Sequence, residues 1–574
     1  MIKFCLKRLS STKGFIFLFI TGILMSIFEL IGIFSLGPFI TMVITPENIE
    51  TNQLLSSVKL YLGIINDSDF ITFFGVFTLI SIIFGNLNNL FHQYLVHKVS
   101  YFFGRDLSFE YTKSFLYANS MNEENFQNED VVKNATVETV RAVEWVIQPI
   151  IGAVFRALSL ILIFLALIIY SWKASLSIGL VVFILYLLIF QTLRGWLSSI
   201  GDELSLSLAN KQLAVGEIVQ GKDVIRTDNK DNFFLNRFYD SSTAESRLKA
   251  MSSLAAFGPK AIMEGIAFGS ITGIMLYINI FASDSVGPSF LTSMGIFTVA
   301  AYKILPSAQN VYYGISRAVF NKNSLRALVE SYKVLVANKN EYKLYREGTK
   351  YNTEFPFVAI KNISYITNGK EKKQILDEID IENFDSSFIG LVGPSGGGKT
   401  SLLKIIAGLE QPCSGTLLLS NSINKISYVS QDLVTFRASL LENITMFDEQ
   451  PDLEFLEEIW DICQLTFCDI DDAVRLIISD KAGNISGGQS QRINLARALY
   501  SKPDVLLLDE FTSALDNEIE NKVLVKLKNF SEKNKVKIFM SAHRDSAKEF
   551  CDIFYYIKDG KCLGSSDAYI FEDL

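Results

Sequence analysis

The sequence predicts two structural classes in one chain: an α-helical polytopic membrane domain with six transmembrane helices, followed by a soluble α/β domain. Three observations carry this expectation. The chain has 574 residues, more than one hydrophobic core organises. Up to about residue 310 it is broken by long apolar runs with few charges. Beyond about residue 345 short apolar strands alternate with charged helical stretches, the pattern of a soluble α/β domain. The expected domains are therefore residues 1–340 and 345–574, and the 49% hydrophobic content belongs mainly to the first. A net charge of -8 lacks the basic face of a nucleic-acid binder, so no nucleic-acid partner is expected.

A helix that crosses a hydrocarbon layer of roughly 30 Å needs about 20 mostly apolar residues. Six segments approach that length, near 15–44, 70–91, 150–171, 174–193, 261–282 and 289–306. Polar stretches with helical periodicity follow the second and fourth segments. They are too long for turns and too polar for the bilayer, so they read as helices continuing out of the membrane on one side. Lys3, Lys7, Arg8 and Lys13 precede the first span without an acid, whereas Glu47, Glu50, Asp67 and Asp69 outnumber Lys59 after it. The positive-inside rule then puts the N-terminus in the cytoplasm. Six crossings return the chain there, which places the soluble domain and Cys5, Cys413, Cys463, Cys468, Cys551 and Cys562 in a reducing compartment. No cysteine spacing matches a zinc site, and no cleavable signal peptide is evident.

Charges inside spans are costly and normally face a partner or a cavity. Here they are Glu29, Arg156, Glu264 and Lys303, with Lys260 at the end of a span. Internal pairing and substrate contact are both open for each. Between the first two spans, Leu54, Leu55, Val58, Tyr61 and Leu62 form a helical stripe. It serves either packing on the spans or contact with lipid tails.

In the soluble half, "GPSGGGKT" from Gly393 to Thr400 follows the apolar strand "FIGLV" and precedes the helical "SLLKIIAGL". That strand, loop and helix make a P-loop. Backbone N–H groups of Gly393, Ser395, Gly396, Gly397, Gly398 and the following Ser401 wrap phosphates, Lys399 reaches the outer phosphate oxygens, and the Thr400 hydroxyl ligates magnesium. "VLLLDE" ends a buried strand on Asp509, expected in the magnesium shell, and Glu510, expected to activate a water in line with the γ-phosphate. The strand "KIFMSAHR" delivers His543. ATP and Mg2+ are thus the expected cofactors, with Lys399, Glu510 and His543 as catalytic residues.

With these motifs in place, residues 345–574 resemble the nucleotide-binding domain of an ABC transporter. The match runs through the P-loop, Gln431 in "YVSQD", the signature Ile485–Gln489, Val505–Asp509, Glu510, the "SALD" loop ending at Asp516, and His543. The resemblance implies that Gln431 joins the metal and nucleotide contacts. It also implies that Ser486, Gly488 and Gln489 in "NISGGQSQR" cap the γ-phosphate held by another subunit, using the anion preference of a helix N-terminus. One nucleotide domain per chain then implies a homodimer or a heterodimer with a similar half. Ile485 and Phe511 depart from the usual pattern. The adenine-stacking aromatic of the family aligns with Thr367; Tyr365 lies two residues earlier on the same strand face.

Six spans and two long helical loops before the nucleotide domain resemble the type I (type IV) exporter architecture. It implies short coupling helices near 115–130 and 205–230. "FELIGIFSLGPFI" around Glu29, "KAIMEGIAF" around Glu264 and "AAYKILPSAQN" around Lys303 are similar to bacterial lipid-linked oligosaccharide flippases of the PglK type. That similarity implies that Lys260 and Lys303, where those flippases have arginine, meet a lipid pyrophosphate. It also implies that Leu55 and Val58 meet a polyprenyl tail, although Asn310 stands where a further arginine is expected. The function expected is ATP-driven movement of a polyprenyl-pyrophosphate-linked oligosaccharide across the bacterial inner membrane. Export of another lipid, a small peptide or a drug is the alternative, and an ATP-gated or regulatory protein the reading from a different class.

Overall fold

The computed structural model describes residues 14–44, 46, 49, 53–117, 128–170, 172–281, 288–348, 350–351, 358–366, 373–381, 386–420, 423–478, 485–541 and 549–567. It divides into two compact units, residues 1–113 with 129–334 and residues 114–128 with 335–574.

The first unit is helical. Its helices include α1 (Phe15–Ile44), the short α2 (Gln53–Tyr61), α3 (Asp67–Leu116), α4 (Gln148–Tyr170), α5 (Trp172–Thr227), α6 (Asp231–Phe281), α7 (Pro288–Phe320) and α8 (Lys322–Gly348), with the last residues of α3 and those of α8 beyond 334 counted in the second unit. Each of the six expected spans falls within one of α1 and α3 to α7, apart from the single residue that follows α4 and the last that follows α6. Four stretches among the described residues are long and apolar enough to cross a membrane by length and composition, in α1, in α3, in the segment that ends in α4, and in α5. At about 1.5 Å per residue the 56 residues of α5 extend roughly 84 Å, far beyond the hydrocarbon layer. The polar stretches are therefore continuations of the spanning helices, as their periodicity suggests. Asp228–Lys230 make the whole connection between α5 and α6. A tight helical hairpin thus stands where a separate coupling helix near 205–230 was expected; most of the 115–130 loop lies outside the described residues.

Close helix crossings are made where a side chain is missing. A Cβ on Gly314 of α7 would collide with the Pro149 carbonyl at the start of α4, and one on Gly22 of α1 with the Phe155 ring. Small residues at such points let backbones approach, the usual basis of helix association in lipid. α2 is held by Leu55, buried with Met42, Ile49 and Phe70, and by an ion pair between Lys59 and Asp67.

The second unit is α/β. Strands β1 (Lys350–Tyr351), β2 (Val358–Ile366), β3 (Gln374–Ile381), β4 (Phe388–Val392), β5 (Ser414–Leu419), β6 (Ile426–Val429), β7 (Val505–Leu508), β8 (Lys537–Ser541), β9 (Ile553–Lys558) and β10 (Lys561–Ser566) form two sheets. The smaller has the order β1-β5-β2-β3, and the larger β10-β9-β4-β8-β7-β6. In the larger sheet only the β9–β10 pair is antiparallel. Strands β4, β7 and β8 are buried throughout, as a parallel sheet covered on both faces requires. Their C-terminal ends carry the P-loop, Asp509–Glu510 and Ser541. The helices used below are α9 (Lys399–Ile406), α10 (Gly487–Tyr500) and α11 (Asn517–Asn534). The five described cysteines are free.

Candidate nucleotide site

The P-loop geometry follows from its glycines. Gly393 has φ +142° and its missing side chain faces the Ile557 carbonyl, so only glycine fits beside β9. Gly398, at φ +108°, is the N-cap of α9, which begins with Lys399 and Thr400 as the motif demands. The Lys399 ammonium donates to the carbonyls of Gly393 and Pro394, each at 2.9 Å, and so lies across the loop that would surround phosphates. Burial lowers its pKa below the usual lysine value, opposed by the charges of Glu510 and Asp509. A bound anion would favour the charged ammonium and so offset the cost of burial.

The structure brings Thr400, Asp509, Glu510 and Gln431 together. Thr400 Oγ1 donates to Asp509 Oδ1 at 3.2 Å, and Gln431 Nε2 donates to Glu510 Oε2 at 2.8 Å. Two residues that the motifs did not single out complete the cluster. Ser541 Oγ donates to Asp509 Oδ1 at 2.9 Å and accepts the Glu510 N–H at 2.7 Å. Tyr428 Oη donates to Asp509 Oδ2 at 3.1 Å; burial, then the Asp509 charge, raises its pKa and keeps it a donor. Glu510 itself has φ +46°, a left-handed conformation that costs a non-glycine residue about 1–2 kcal/mol. Such strain persists only where neighbours hold it.

Hydroxyl, amide and carboxylate oxygens beside a phosphate loop suit a hard cation such as Mg2+, which keeps waters and substrate phosphates among its ligands. Among the described residues there is no cluster of three or more His, Cys, Asp or Glu that could hold a metal. The signal for Ser541 was a hydroxyl at the end of the buried strand "KIFMS". Tyr428 carried none beyond lying three residues before Gln431.

Ser486 is the N-cap of α10, accepting the Gln489 N–H at 3.2 Å while its own N–H donates to Gln489 Oε1 at 2.8 Å. Gly488 leaves no room for a Cβ against the Ala514 carbonyl. Gln491 binds both Ser513 Oγ and the Ala514 N–H. The signature helix is thus tied to the loop that ends at Asp516, whose carboxylate caps α11 through the Ile519 N–H at 2.9 Å. Among the described residues, no hydrogen bond joins Ser486 to the P-loop of its own chain. Phe511 is buried in the core, with Ile485 packed against it, so both departures from the usual pattern serve packing.

Tyr365 requires a correction. It is 5% exposed within the core beneath the smaller sheet, and its hydroxyl donates to Glu410 at 3.0 Å. The buried ring is withdrawn from adenine stacking. Thr367 and His543 lie outside the described residues.

In the helical unit Glu29 is paired internally. Arg156 Nη1 donates to its Oε1 at 2.7 Å, Ser159 donates to its Oε2, and Arg156 Nη2 donates to Asn89 at 2.9 Å. Lys260 lies 3.7 Å from Glu264, one turn away on α6, both about half exposed. Leu55 is buried in packing, whereas Val58 is 42% exposed. The packing reading of the stripe therefore holds for Leu55, which is corrected as a tail contact. Lys303 lies on α7 with its side chain outside the described residues.

Residues 376–513 match the family model described as ABC transporter. A multidrug resistance ABC transporter ATP-binding and permease protein of Lactococcus lactis is 24% identical over 419 residues, covering 69% of this chain and 67% of that protein. A putative export ATP-binding/permease protein of Rickettsia typhi is 28% identical over 389 residues, 63% and 64% of the two chains. The chain thus spans about two thirds of the length of these relatives. A solved bacterial Atm1-family ABC exporter with ATP bound superposes with a TM-score of 0.72 at 14% identity, over 96% of this chain and 94% of that one. The fold matches that of this solved exporter, a helical domain with long apolar helices followed by a P-loop α/β domain. The apolar helices and the exporter homologues imply a multi-pass membrane protein, the match over residues 376–513 implies ATP binding, and the homologues indicate ATP hydrolysis coupled to transport.

Proposed function

We propose that the chain is one half of a homodimeric, Mg2+-dependent ABC exporter of the bacterial inner membrane, with its nucleotide domain and both termini cytoplasmic. Its preferred cargo in this reading is a polyprenyl-pyrophosphate-linked oligosaccharide. The observation that carries the ATPase part is the convergence of Lys399, Thr400, Gln431, Asp509 and Glu510 at the ends of β4, β6 and β7. Bound Mg2+ would supply charge neutralisation of the phosphates, held by Thr400 and Asp509. Lys399 and the loop amides orient the γ-phosphate, and Glu510 is the base for the attacking water. His543 belongs to the same set by motif, and Ser486 with Gly488 caps the phosphate bound by the other subunit.

The cargo part rests on the stretches around Glu29, Glu264 and Lys303. A second reading, export of another lipid, a peptide or a drug, is favoured by the internal pairing of Glu29 with Arg156 and by the multidrug description of the Lactococcus relative. The two separate in proteoliposomes. Stimulation of ATPase by a polyprenyl-pyrophosphate oligosaccharide, with transfer of the glycan across the bilayer, is expected for the flippase. Robust ATPase without either result would refute that cargo.

A further inference from the structure

Ser541 belongs to none of the nucleotide motifs, yet its hydroxyl occupies the centre of the site. It ends β8, which lies between β4 and β7 in the sheet, and it is 4% exposed. A serine hydroxyl has one proton to give and lone pairs to receive one. Here both functions are engaged, toward the Asp509 carboxylate at 2.9 Å and from the Glu510 N–H at 2.7 Å. The two groups it joins are the proposed metal ligand and the backbone of the proposed base. That backbone is left-handed, and the Gln431 amide holds the side chain it carries.

We infer that Ser541 is a positioning residue for ATP turnover: its hydroxyl fixes the Asp509 carboxylate and the left-handed Glu510 backbone to one another, while Tyr428 holds the second Asp509 oxygen. The inference rests on the ATPase reading above. Its logic is geometric. Without the Ser541 oxygen the half-buried Glu510 N–H loses the 2.7 Å hydrogen bond that helps hold its left-handed backbone, and that loss favours another backbone arrangement. Asp509 simultaneously loses one of its three hydroxyl donors and gains freedom to rotate. Neither Ser541 nor Tyr428 is hydrogen-bonded to the P-loop among the described residues, so the effect falls on turnover and metal use while ATP binding persists.

The test compares Ser541→Ala, Ser541→Thr and Tyr428→Phe in the full chain. The first readout needs neither nucleotide nor metal: hydrogen exchange of the Glu510 amide in the presence of chelator. Exchange about tenfold faster in Ser541→Ala is expected from loss of one hydrogen bond, with the wild-type rate restored in Ser541→Thr. The second readout is ATPase. A kcat lowered roughly ten- to hundredfold, at a KM for ATP within about twofold, is expected for Ser541→Ala. That variant and Tyr428→Phe should need more Mg2+ for half-maximal activity, and Ser541→Thr should recover kcat. Unchanged exchange and kcat in Ser541→Ala would overturn the inference. Loss of ATP binding and of the thermal transition in both the Ala and Thr variants would also overturn it, by making Ser541 a packing residue. A wild-type chain with no ATP turnover would fail the underlying reading instead, while exchange still reports whether the tie exists.

Discussion

Glu29 and Arg156 show how a charged pair settles inside a helical membrane unit. Each side chain is largely buried, and the pair is completed by Ser159 and Asn89. Removing one partner leaves the other charge uncompensated, at a cost of about 3–5 kcal/mol for a buried pair. Arg156→Ala should accordingly lower thermal stability in detergent, with most of the loss recovered in Glu29→Gln/Arg156→Gln. Equal stability of wild type and Arg156→Ala would disprove the pairing. Tyr365 gives a second case. Tyr365→Leu should destabilise the α/β unit by about 1–3 kcal/mol through altered packing and loss of the hydrogen bond to Glu410, with ATP affinity of the folded protein unchanged. Affinity lost without a change in melting would reinstate adenine stacking.

At the scale of elements, α5 and α6 are joined by ion pairs as well as apolar packing. Glu245 accepts from Lys211 at 2.8 Å and Lys249 at 2.6 Å, and those bonds, Lys211's first, hold its carboxyl below the ordinary value of 4.5. A depressed carboxylate pKa stabilises the folded state fully above the unfolded value and loses that contribution as pH falls through the folded one. Glu245→Gln should therefore cost about 1 kcal/mol at neutral pH, and the difference from wild type should shrink once pH drops below about 4.5. A gap in melting temperature that stays constant down to pH 3 would contradict this.

The same scale shows what was legible in advance. Long apolar runs located the helices, and "FIGLV", "VLLL" and the apolar centre of "KIFMS" located the central parallel strands, because burial on both faces favours near-continuous apolar sequence. The P-loop was legible because glycine spacing and a Lys-Thr pair are set by phosphate geometry. Ser541 and Tyr428 were not, since their role depends on which strands become neighbours. Tyr365 was misassigned for a related reason: strand alternation tells that two residues share a face, not which face is covered.

At the scale of the molecule, Ser486 caps its own helix and is not hydrogen-bonded to the P-loop of the same chain among the described residues. Completion of the site by a second subunit is the arrangement proposed here. In the presence of ATP, Glu510→Gln should sediment at twice the 64.4 kDa chain mass, after correction for detergent; a monomer with full ATPase activity would refute the composite site. The central claim, that Glu510 drives hydrolysis of ATP held by Lys399 and Thr400, is tested most directly by steady-state Mg-ATPase of wild type and Glu510→Gln, with ATP binding measured on both. The account predicts turnover at least about a hundredfold lower in the variant with ATP binding retained. Turnover in Glu510→Gln equal to that of wild type would contradict it.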